Sequence, residues 1–242
     1  VINLPNSNIS SILDDLDVRI SFYKAKDHPR ICSEFSAGHR ALLEINDVDL
    51  GPLDTSWYTS EFVYLLVVES VETNEILGGS KLVIFDGNNN LPLQNLLLDD
   101  YPELDSLLDK YYRDGLVEIS GLWNSRAVAG LGLGSEHLIR TSIAVSSFLP
   151  VKTVITFCSP FVTRFASLYG FKPMAEFGSN GSIPFPDERW MSTINYLDDI
   201  LDMNGADLKE KDRIKLLRAN PIGVQDYNDR GKKLRIEYKL KL

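Results

Sequence analysis

The stretch 116–173 constrains this chain more than any other part of it: LVEISGLWNSRAVAGLGLGSEHLIRTSIAVSSFLPVKTVITFCSPFVTRFASLYGFKP. It reads as strand, glycine-rich loop, helix, strand, helix. Leu116–Asn124 is an apolar run with β-branched and aromatic members, long enough for one strand. Gly130, Gly132 and Gly134 then alternate, and Ser135 suits the N-cap of a helix over 136–149, which Pro150 closes. The short β-branched run 151–157 reads as a buried strand. Ser159 caps a second helix, Pro160 takes its first position and Gly170 stops it.

A helix N-terminus carries roughly +0.5 charge and several unpaired N–H groups. Glycines just before it let the backbone close around an anion, commonly a phosphate. Gly130, Leu131, Gly132, Leu133, Gly134 and Ser135 are therefore a candidate phosphate cradle. The alternative is a tight strand-to-helix turn that needs glycine for geometry alone. A dinucleotide fingerprint would need a third glycine where Ser135 stands and an acid where Cys158 follows the next strand. A nucleotide P-loop would need a lysine after the glycines, and none is there.

The rest of the chain supplies the sheet around this unit. Ile9, Ile12, Leu13 and Leu16 have helical spacing, and 18–24 alternates as a half-buried strand. One or two helices are expected over 29–45, interrupted around Gly38. A loop follows over 44–60, whose Trp57 and Tyr58 either wall a pocket or pin the loop to the core. Runs 61–72 and 76–85 form a hairpin, with Gly78 and Gly79 marking a bulge or a close backbone approach. An insertion, 86–114, is acidic in its middle and reads as a solvated face. Beyond the central unit, 172–177 and 189–197 are expected to add an antiparallel pair of strands. Further on, 198–202 and 208–217 read as helical, 220–233 as turn-rich and 234–242 as a last strand. The expected organisation is one domain over 1–197 with a C-terminal appendage, 198–242, packed on it or offering a docking surface for an acidic partner.

Composition narrows the function. A net charge of −9 argues against nucleic acid as the main partner, because phosphate backbones need a basic face. No apolar run approaches the ~18 residues of a membrane-spanning helix, and the first residues lack the basic and apolar regions of a signal peptide. Two cysteines give no disulfide framework, so a cytoplasmic location is expected, and Cys158 at a strand end reads as an inert thiol. Three histidines and two cysteines show no ligand spacing, so no metal is expected.

The order strand, glycine-rich loop, helix, strand, helix, then Tyr169-Gly170-Phe171, resembles the GNAT superfamily of acyltransferases over 61–197. The family's loop pattern is Q/R-x-x-G-x-G/A. Here Gly130-x-Gly132 or Gly132-x-Gly134 supplies the glycine pair, and Ala127 or Ala129 stands at the Q/R position. The run from Pro92 through Tyr101-Pro102-Glu103-Leu104 to Glu118-Ile119-Ser120 is similar to the acyl-homoserine-lactone synthase branch, with Gly121 and Leu122 where that branch has arginine and phenylalanine. The resemblance implies an α/β (α+β) fold: a mixed, mostly antiparallel sheet with helices on both faces. It implies acyl transfer from acetyl-CoA or a longer acyl-CoA, or from an acyl-carrier protein, to a small-molecule amine. The glycine loop would then bind the CoA pyrophosphate, the backbone of Gly121, Leu122 and Trp123 would align the pantetheine, and the insertion 86–114 would be a lid over the acyl chain. A non-catalytic carrier-binding or scaffolding module of the same fold is the alternative.

Acyl transfer to an amine needs a polarised carbonyl, a deprotonated amine and a protonated thiolate leaving group. Glu118 is the candidate base, because a carboxylate in an apolar strand is costly unless partnered, and desolvation raises its pKa. Its alternative is a structural carboxylate. On ideal alternation Glu118, Ser120 and Leu122 share one face of the strand. Tyr169 matches the family's helix-end tyrosine and is the candidate acid; its alternative is a core aromatic at helical spacing from Phe165 and Val162.

Overall fold

The computed structural model describes residues 15–48, 51–131, 133–229 and 232–242. The helical spacing expected before residue 15 lies outside them. One twisted sheet organises the chain. β1 (Asp15–Lys24), β2 (Val63–Ser70), β3 (Ile76–Phe85) and β4 (Leu116–Asn124) run antiparallel in chain order. β5 (Thr153–Cys158) joins β4 in parallel, and β8 (Met191–Leu197) follows antiparallel. Two short strands, β6 (Lys172–Pro173) and β7 (Ser182–Pro184), pair with β8. The sheet is mixed and mostly antiparallel, as expected.

Helices cover both faces because alternate strand residues are apolar on both sides. On one face α4 (Ile139–Ser146), α5 (Pro160–Ala166) and α6 (Leu208–Ala219) pack over Val117, Ile119 and Val154. On the other, α1 (Pro29–Ile45), α2 (Pro92–Leu97) and α3 (Glu103–Tyr112) pack over Val83, Leu116 and Ile155. α1 runs without a break through Gly38. Glycine is there for clearance: a Cβ at that position would lie 2.0 Å from the Trp123 indole. Gly78 and Gly79 mark close approaches too, since Cβ atoms there would meet the carbonyl oxygens of Trp123 and Leu66.

The C-terminal segment is not an appendage. β9 (Ile222–Asp229) and β10 (Lys232–Lys239) form a hairpin, and β10 pairs in parallel with β1, so 198–242 extends the same sheet. The turn-rich reading of 220–233 failed because the edge strand β9 puts polar Gln225 on the core face, opposite buried Ile236, and apolar Val224 on the exposed face, which masks its alternation. Residues 198–202 form a turn, not a helix, in which Asp199 accepts from the N–H groups of Leu201 and Asp202. α6 is tied to α4 by a buried ion pair, Arg140 Nε to Glu210 Oε2 at 2.7 Å. No described helix is long and apolar enough to cross a membrane.

Candidate active site

Strands β4 and β5 pair only at Leu116–Thr153, Val117–Val154 and Glu118–Ile155. Beyond that point they splay, and the β4 backbone groups directed toward β5 have no ladder partner. A cavity of about 1210 Å³ occupies the opening. Its lining comes from both faces of the sheet. Ile139, Val162, Ala166 and Phe171 belong to the α4 side, whereas Phe35, Trp57, Val83 and Phe185 belong to the α1 side. The cavity is thus a passage through the sheet, and β4 runs along its wall.

The wall itself is irregular. Gly79 pairs with Trp123 and Lys81 with Ser120, so one extra residue of β4 sits opposite Ser80. Gly121, at φ +56°, takes up that residue as a β-bulge. The bulge overturns the expected alternation beyond Ser120. Leu122 packs toward the α4 side, and Trp123 turns to the α1 side against Phe35, with ring centroids 6.1 Å apart. Gly121 and Leu122 line the cavity, but Trp123 is buried and does not.

Glu118 lines the cavity at the fork and is only 2% exposed. Its Oε2 accepts a hydrogen bond from the Leu93 N–H at 3.0 Å. That donor lies in the first turn of α2, so the insertion anchors the carboxylate as well as contributing Pro92, Asn95 and Leu96 to the wall. Burial pushes the Glu118 pKa up to about 8, against the Leu93 hydrogen bond and the attraction of Lys81, which lower it. Beside it the Ser120 hydroxyl is buried without a hydrogen-bond partner among the described residues.

Sequence reasoning passed over Lys81 and gave His39 little weight, yet both line the cavity. Lys81 stands in an otherwise apolar strand, the same signal that singled out Glu118. The Lys81 ammonium lies 4.9 Å from the Trp57 ring centroid, so Trp57 is a wall of the cavity. Burial, with Lys81 nearby, pulls His39 down to about 4, leaving it neutral near pH 7. Cys158 also reaches the cavity; burial raises its pKa, which keeps the thiol protonated and unreactive.

The structure does not bring Tyr169 to this cavity. Its ring is buried, and its hydroxyl donates to the Glu136 carbonyl at 3.1 Å, tying the end of α5 to the turn before α4. The glycine loop is placed in part. Gly130 has φ +80°, Leu131 and Leu133 are anchored in the core, and Leu133–Leu138 forms a π-helical turn leading into α4. The helix therefore begins before the expected 136. Gly132 lies outside the described residues, as do the side-chain surroundings of Gly134 and Ser135.

No family model matches the chain, and no curated protein matches it. Solved structures do. The N-acyl amino acid synthase FeeM, from uncultured soil microbes, superposes with a TM-score of 0.56 at 14% identity, covering 76% of this chain and 92% of FeeM. BjaI, a CoA-dependent acyl-homoserine lactone synthase solved with SAM and isopentyl-CoA, gives 0.54 at 14% identity, covering 93% and 95%. MesI, another CoA-dependent acyl-homoserine lactone synthase, gives 0.53 at 8% identity, covering 84% and 95%. At these identities the likeness establishes the fold.

Proposed function

We propose that this chain, which has the GNAT fold in the layout of the acyl-homoserine-lactone synthase branch, is an N-acyltransferase. It moves an acyl group from an acyl-CoA, or an acyl-carrier protein, to a small-molecule amine. One observation carries the reading: the passage through the sheet at the β4–β5 fork, with Glu118 in its wall. A donor entering from the α4 side and an acceptor from the α1 side would meet beside β4. The gap is open rather than plugged by side chains, which favours an enzyme over a scaffolding module. FeeM, BjaI and MesI, whose names describe acyl synthases, support the same class.

In this mechanism the thioester carbonyl lies along β4, where unpaired backbone N–H groups beyond Glu118 stabilise the oxyanion. The Glu118 carboxylate accepts a proton from the amine. The amine nitrogen attacks the carbonyl, the C–S bond breaks, and the thiolate takes up a proton as the amide forms. The thiolate takes the second proton that the amine nitrogen sheds as the amide forms, and not one from Tyr169, whose hydroxyl is engaged with the Glu136 carbonyl. The pyrophosphate of the donor would sit at the backbone of 130–135, ahead of α4. Free Cys32 and Cys158 suit a reducing cytoplasm.

The test is thiol release from acyl-CoAs of several chain lengths in the presence of a panel of amines, with the amide identified by mass spectrometry. Turnover lost in Glu118→Gln supports the reading. Stabilisation by acyl-CoA with no transfer to any amine would leave the binding module instead.

A further inference from the structure

The α1-side wall of the cavity holds a cation that the acyl-transfer step does not use. Lys81 stands mid-strand in β3, paired with Leu65 on one side and Ser120 on the other. Its ammonium lies over the Trp57 ring, 4.9 Å from the centroid, and Lys81 lines the cavity. Among the described residues it forms no ion pair and no hydrogen bond; Glu118 and Asp54 attract it only at longer range. The other cation of the lining, Arg40, donates to the Gly51 carbonyl. A largely buried ammonium without a counter-ion is costly, and a protein keeps one where a ligand supplies the anion.

The register places this cation beside the base. Lys81 is opposite Ser120, and Val83 is opposite Glu118, so Lys81 and Glu118 are diagonal neighbours on one face. Diagonal positions stand ~7–8 Å apart. An amine and a carboxylate separated by one carbon can bridge the two side chains. We propose that the acceptor is an amino acid whose carboxylate binds the Lys81 ammonium while its amine faces Glu118. The inference rests on the acyl-transfer reading and names its acceptor class.

Binding and turnover test it separately. Calorimetry compares N-octanoylglycine with its methyl ester, which removes the carboxylate charge and adds one methyl group. The acid should bind at least about tenfold tighter, close to the effect of one charge-assisted hydrogen bond. Lys81→Met should erase that preference and Lys81→Arg should keep it, both variants being checked for an unchanged melting profile with no ligand. Equal affinity for acid and ester, or no binding of either, overturns the proposal. In turnover, glycine should outpace glycinamide. Equal rates would overturn the carboxylate site and leave acyl transfer standing. Absence of transfer to every amine would end the acyl-transfer reading, and calorimetry would still decide whether Lys81 binds a carboxylate.

Discussion

Glu118 of β4 and Ile155 of β5 form the last pair before the two parallel strands part. The residue at the fork of a sheet is held by ladder bonds on one side and meets the cavity on the other. A carboxylate there is fixed in position, desolvated, and still within reach of a substrate. Rigidity and a raised pKa come from the same packing.

Replacing Glu118 with Gln keeps its shape and the acceptor for the Leu93 N–H, but removes the proton acceptor. Turnover should fall by about 10²–10⁴-fold, with donor affinity nearly unchanged. Rate in the parent protein should rise with pH through about 8, because the base works only when ionised. Lys81 is the charge that acts on it, and His39, which lines the same cavity and is drawn down to about 4, is neutral throughout that range. The Lys81 charge favours the Glu118 carboxylate, so Lys81→Met should move the limb upward. A limb that stays put would show that another group sets it.

The same carboxyl should leave a mark on stability. Its folded pKa of about 8 lies above the unfolded value near 4.5, so the folded state holds the proton more tightly. The stabilisation is full below pH ~4.5 and is lost as pH rises through about 8. Glu118→Gln has no such loss. Denaturant titrations should show the variant overtaking the parent between pH 5 and 9, by on the order of a few kcal/mol. Parallel stability curves would mean that Glu118 is not desolvated in solution.

The central unit was legible because each boundary carries its own chemistry: the apolar run of β4, Pro160 opening α5, and Gly170 closing the turn after it at φ +89°. Glu118 was legible as a charge in an apolar strand. The site around it was not. The bulge at Gly121 adds one residue without altering the pattern of apolar positions, so it hid the turning of Leu122 and Trp123 to opposite sides. The tie from Leu93 to Glu118 runs from a backbone N–H to a carboxylate 25 residues away, and a backbone donor leaves no mark in the sequence. β10 pairs with β1 from the opposite end of the chain, which local periodicity cannot announce.

Gly38 gives a test of packing alone. In an open helix, Gly→Ala would gain about 1 kcal/mol. Here the new methyl would lie 2.0 Å from Trp123 Cη2, and the indole is buried against Phe35. Gly38→Ala should instead cost about 1–3 kcal/mol. Trp123→Phe should recover part of that in the double variant, so the two changes should be non-additive. A more stable Gly38→Ala protein would mean that α1 and β4 are further apart than described.

Arg140 and Glu210 test the tie between α4 and the C-terminal segment. Arg140 is 1% exposed, and Glu210 is its partner at 2.7 Å. Glu210→Ala strands a buried guanidinium and should cost about 3–5 kcal/mol, read from the urea midpoint. Arg213→Ala, which removes a half-exposed contact to the same carboxylate, should cost far less. Equal small losses in both variants would mean that Arg140 reaches water.

By the sequence resemblance, Gly121 stands where the lactone synthase branch has arginine. A Cβ at 121 would point toward Phe35 Cζ at 3.6 Å and His39 Cε1 at 3.8 Å, toward the α1 side of the cavity. Glycine leaves that space to the substrate and supplies the positive φ of the bulge without strain. An L-residue at φ +56° pays about 1–2 kcal/mol for the backbone alone, so Gly121→Ala should lower the melting temperature by about 2–8 °C. An arginine would pay that cost and fill the space beside His39 as well. Glycine offers none of the charge-assisted side-chain hydrogen bonds of an arginine, so incubation with S-adenosylmethionine and an acyl donor should give no homoserine lactone by mass spectrometry. Gly121→Arg should slow transfer to amines rather than create lactone synthesis, because the side chain would occupy acceptor space on a backbone shaped for glycine. Lactone formed at an enzymatic rate by the parent protein would show that another residue does the arginine's work.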